Sequence, residues 1–122
     1  MKKYKDDFVT FYSEGMINGI EYYNFVQFIF LTNSLEEEGL WDAVAELSQI
    51  EEITKTKALE LLKSEIKYFE QHDDMYLIYS KKLYDTGTSK VLDKKELLNL
   101  TLEDVEFKEE GPFYYFSTVP EI

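Results

Sequence analysis

The clearest hydrophobic rhythm in the chain runs from Thr54 to Gln71, where Ala58, Leu61, Leu62, Ile66 and Phe69 return at offsets of three and four between lysines and glutamates. That spacing predicts an amphipathic helix. Upstream, Glu21 to Thr32 is apolar on nearly every side through Tyr22, Tyr23, Phe25, Val26, Ile29 and Phe30. A helix apolar all round is a central one, covered by its neighbours. Asn18-Gly19 turns the chain ahead of it, and Tyr4, Phe8, Phe11 and Tyr12 predict a first helix ending near Gly15. Leu40, Trp41, Val44, Ala45 and Leu47 predict a further short helix, with Ser34 as cap and Glu37 three residues later in a capping-box arrangement. Trp41 and the Leu and Phe positions of these stripes are assigned to the core.

Beyond Gln71 the pattern divides. Met75, Leu77 and Tyr79 alternate as a strand would, yet Met75, Ile78, Tyr79 and Leu83 also form a helical stripe. Asp74 as a cap, Lys81 and Lys82 near the far end and Gly87 just past it favour the helix, with helix and strand both left open over Met75 to Leu83. Asp93 caps a short helix through Glu96 and Leu98. In the tail, Val105 and Phe107 alternate, Glu110-Gly111-Pro112 turns, and Phe113 to Val119 favour extended backbone, as a terminal hairpin or one extended arm. The expected fold is mainly α, a compact helical bundle of one domain over residues 1–122 with a short extended or β-hairpin C-terminal segment; the alternative is α+β.

The length of 122 residues suits one domain that removes roughly two thirds of its unfolded surface from water. At 44% hydrophobic and 16% aromatic residues, a packed core is expected. The absence of cysteine excludes disulfides, thiolate zinc sites and a thiol nucleophile. The start, MKKYKDDFVTFY, places Asp6 and Asp7 ahead of any apolar stretch long enough for a secretory signal, and Ile20 to Leu31 is shorter than the ~20 residues of a membrane span. A cytoplasmic protein without a membrane partner is expected.

Charge narrows the function classes. There are 25 acidic residues against 13 basic ones, and every basic residue is lysine. Nucleic acid is not the expected partner, and no arginine fork is present for phosphate. The acids concentrate toward the two ends, with nine against three lysines in residues 1–50 and six against one in residues 101–122.

Asp85-Thr86-Gly87-Thr88-Ser89 matches the sequence around an aspartic-protease carboxylate. Such a site needs two carboxylates brought together by paired loops, and the surroundings here lack the preceding hydrophobic strand, the flap and the later apolar-apolar-Gly segment. The segment is read as a helix exit and loop. His72-Asp73 has no second histidine to complete a metal site or a triad and is read as an exposed loop. Glu36-Glu37-Glu38 and Glu103-Asp104-Glu106 lack the alternation and glycine of a calcium loop. No catalytic residue, cofactor site or metal site is assigned.

Ten tyrosines and nine phenylalanines exceed what a small core needs. Tyr114 and Tyr115, adjacent and opposite-facing if extended, leave at least one exposed as a partner anchor. An acidic surface with aromatic anchors suits a basic protein, such as a nuclease whose cleft it plugs in place of phosphates.

Asn18 to Phe28 (NGIEYYNFVQF), Leu100 to Phe107 (LTLEDVEF) and Phe113 to Pro120 (FYYFSTVP) resemble the immunity proteins of bacterial contact-dependent growth inhibition systems. They are similar in particular to those paired with EndoU-type RNase toxins. The resemblance implies a cytoplasmic antitoxin that binds the nuclease domain of its toxin and blocks it. The expected contacts are Glu36, Glu37, Glu38, Glu103, Asp104, Glu106, Glu109 and Glu110, with Tyr114 and Tyr115 as anchors. The alternative is a nucleic-acid mimic from a phage or mobile element, directed at a restriction or CRISPR-type effector.

Overall fold

A computed structural model describes residues 14–83 and 87–120. A hairpin comes first, β1 (Gly15–Ile17) and β2 (Ile20–Tyr22), joined at Asn18 and Gly19 with φ of 52° and 80°. Positive φ at both central residues is the turn that Asn-Gly favours, because it matches the twist of the strands. Helices α1 (Phe25–Leu35), α2 (Leu40–Glu51), α3 (Lys55–Ser64) and α4 (Ile66–Gln71) follow. Strands β3 (Tyr76–Ser80) and β4 (Lys90–Leu92) come next, then a 3₁₀ helix (Lys94–Asn99), α5 (Leu102–Val105) and β5 (Phe113–Ser117).

This is an α+β fold, not a mainly α bundle: 47% of the described residues are helical and 19% are in strands, in two small antiparallel sheets. The larger sheet has the order β4-β3-β5. Two sequence readings account for the difference. Tyr76–Ser80 is the central strand, not part of a helix over Met75 to Leu83. Both its faces are covered, since Leu77 opposes Phe116 toward one cluster and Ile78 opposes Tyr115 toward another. Burial on both faces adds Ile78 to the alternation of Met75, Leu77 and Tyr79 and so blurs the strand signal. The tail is neither a separate hairpin nor a free arm, because β5 pairs with β3 along its whole length.

The long apolar stretch also divides. Ile20–Tyr22 is strand, and Asn24 caps α1 by accepting from the Gln27 amide at 2.9 Å. Residues 55–71 form two helices broken at Glu65, whose carboxylate accepts from Gln27 Nε2 at 2.9 Å and Asn24 Nδ2 at 3.2 Å. One acid thus ties the α3–α4 break to the start of α1. The first helix predicted through Tyr4 and Tyr12 lies outside the described residues; Gly15, its expected end, is in β1.

Helix α1 packs against β5, α2 and β2. Phe30 of α1, Phe69 of α4 and Phe116 of β5 meet with ring centroids 5.0 to 5.4 Å apart, and all three are fully buried. Rings in this arrangement add ring-to-ring attraction to the burial of ~150–250 Å² each. On the other face of the sheet, Ile78, Phe113 and Tyr115 form a smaller cluster against Trp41. The α4 terminus is closed by Lys94, whose ammonium donates to the carbonyls of Phe69 and His72. Partial burial there lowers the Lys94 pKa.

Candidate protein-binding surface

The acids Glu36, Glu37 and Glu38 do not open a helix; they leave one. The Glu38 amide donates to Asn33 O at 2.9 Å and the Glu37 amide to Ser34 O at 3.2 Å, with Glu37 at φ 55°. This is the paired bonding of a Schellman helix end, with a glutamate where glycine is usual. Ser34 is consequently a buried residue inside α1 and caps nothing; Gly39 precedes α2 instead. The exit is fixed on its far side too, because Glu38 O accepts from the Phe116 amide at 3.0 Å and Gly39 bridges to Tyr115.

Helix α2 supplies the facing wall. Leu40, Ala43, Val44 and Leu47 are buried, which leaves Asp42, Ala45, Glu46 and Gln49 along the opposite face at offsets of three and four. Together with Glu36 and Glu38 from the α1 exit, they line a groove of about 530 Å³ floored by Phe28 and Thr32. Four carboxyl groups border it, and no lysine does among the described residues. A hydrogen bond to Asp42, then burial, then the charges of Asp42, Glu36 and Glu46 push the Glu38 carboxyl up to about 7. Burial raises the Glu46 pKa, opposed by a hydrogen bond from Asn33 Nδ2 at 3.3 Å.

The remaining expected contacts disperse. Glu103 is exposed on α5, with Lys108 donating to its carbonyl. Asp104 is engaged in a capping box, accepting from the Thr101 amide at 2.8 Å, and that backbone bond holds its carboxyl below the usual range. Glu106 is exposed at the end of α5, while Glu109 and Glu110 are exposed in the turn before β5. Tyr114 is half-buried against Tyr79, its hydroxyl pKa raised chiefly by burial. Tyr115 is corrected outright: it is 0% exposed, so it is a core residue and offers no anchor.

The contributors missed from sequence are Asp42 and Glu46, which belong to the groove, and Trp41 and Phe107. Trp41 is only partly buried, and Phe107 is 47% exposed in contact with it at 5.3 Å between ring centroids. Phe107 is not in a strand, because Val105 closes α5. The periodicity of α2 could have located Asp42 and Glu46, since they fall opposite Leu40, Val44 and Leu47.

Asp85 lies outside the described residues. The element that precedes it is the buried strand β3, which ends at Ser80, and not a helix. His72 is the C-cap of α4, half-buried with its ring 4.6 Å from that of Tyr68. Among the described residues no group of three or more His, Asp or Glu side chains is arranged to hold a metal ion. None of the helices described is long and apolar enough to cross a membrane. No known protein family, curated protein or solved structure matches the chain.

Proposed function

We propose that this is a cytoplasmic immunity protein that binds the basic nuclease domain of a cognate toxin and blocks it, acting by binding and not by catalysis. The observation that carries this reading is the groove between the α1 exit and α2. Among the described residues no lysine stands beside its four carboxyl groups, and a hydrogen bond to Asp42, burial and the neighbouring charges together raise the Glu38 pKa to about 7. Lysines and arginines of a partner would offset those charges and favour the ionised form. Like charges held on a rigid frame also speed the encounter with an oppositely charged surface.

The reading is tested by purifying the protein with the toxin domain encoded beside it and by co-expressing the two. A stable complex and suppressed toxicity are expected. Reversing charge at Glu38 and Glu46 together should slow association at least about tenfold at low salt, and the effect should shrink as the Debye length contracts from ~10 Å at 0.1 M to ~3 Å at 1 M salt. Absence of a complex at moderate salt would sink the proposal. Capture of a restriction or CRISPR-type effector instead would identify a nucleic-acid mimic.

A further inference from the structure

Next to the acidic groove, and sharing Asp42 and Ala45 with it, is a hollow of about 230 Å³ between α2 and α5. This is below the ~300–1,000 Å³ typical of small-molecule pockets, so its size suits one side chain. Its lining is mixed: Trp41, Val44, Leu102, Val105 and Phe107 supply the apolar part, and Asp42 and Glu106 supply two acids at its border. Trp41 is fixed in place by three edge-on ring contacts, to Phe107, Phe113 and Tyr115 at 5.3 to 5.9 Å. It lies so close over Gly39 that a Cβ added there would come within 2.4 Å of the indole.

We infer that this hollow is an anchor pocket for one lysine or arginine side chain of a basic partner protein. The inference rests on the basic-partner reading above and adds the place where affinity is set. The methylene stem of such a side chain lies along the apolar part of the lining, and its charge reaches the border acids and the Trp41 ring. A wholly apolar occupant would strip water from Asp42 and Glu106 without replacing it by a partner, which is costly. Lys55 also lines the hollow, but it is exposed and no ion pair joins it to either acid among the described residues.

Trp41 is the single tryptophan of the chain, so its emission reports on the hollow directly. The test titrates the full-length protein with a hexa-arginine peptide amide at low salt. A saturable change in Trp41 emission is expected. Phe107→Ala and, separately, Glu106→Lys should each weaken binding about tenfold, the size of a desolvated cation–ring or charge contact, with circular dichroism showing the fold retained. Lys55→Gln should tighten it. Binding that leaves Trp41 emission unchanged, with both pocket variants within about twofold of the parent, overturns the pocket. If the double reversal at Glu38 and Glu46 abolishes that same binding, the basic-partner reading stands without it. No peptide binding at all also overturns the pocket, while the immunity reading is decided separately by complex formation with the toxin domain.

Discussion

The Glu38 carboxyl is set beside that of Asp42 in the groove, and this has opposite consequences for folding and for binding. In the native protein Glu38 keeps its proton to about pH 7, against an ordinary value of 4.5. Between those values the folded state binds more protons than the unfolded one, so this group's contribution to stability falls as pH rises from 4.5 through 7. Asp42→Asn removes the repulsion. The variant is expected to melt higher than the parent at pH 8, with the difference narrowing toward pH 4.5, measured by thermal unfolding across that range. Association with a basic partner should run the other way, strengthening in the parent as the groove becomes fully ionised above pH 7.

At the scale of elements, the informative piece is the junction between α1 and α2. Glu37 adopts the left-handed conformation at φ 55° that closes the α1 helix. A residue with a Cβ is strained there, so Glu37→Gly is expected to stabilise the protein by about 0.5–1 kcal/mol, read by urea denaturation. The same junction shows why part of the fold was hidden in the sequence. A helix that ends on glutamate carries none of the glycine signature of a helix end, and Ser34-x-x-Glu37 imitates the start of one. The α2 stripe, the Asn18-Gly19 turn and the Asp93 cap are local and were legible. What was not legible depends on the neighbours: β3 carries apolar residues on both faces because both are covered, and Tyr115 has the composition of an interface residue but the surroundings of a core one. The groove combined both kinds of information. Glu36 and Glu38 stood out as a run of charge, whereas Asp42 and Glu46 joined them only once α2 had a partner to face.

Across the whole molecule, the acidic groove and the hollow meet along α2, where they share Asp42 and Ala45. The frame beneath them depends on Phe30, Phe69 and Phe116, which join α1, α4 and β5. Phe30→Ala leaves a cavity at that junction and is expected to cost about 3–5 kcal/mol, seen as a lowered urea midpoint. Set against a total stability of roughly 5–15 kcal/mol, the loss leaves a protein near its threshold. The junction also sets a timetable. Phe30 and Phe116 are separated by most of the chain, and at ~5–20 residues per second a ribosome takes roughly 4–15 s to make residues 36–112 between α1 and β5. Throughout that interval, the apolar helix α1 is present without the strand that covers it. The nascent chain therefore carries that apolar face uncovered until β5 has been synthesised.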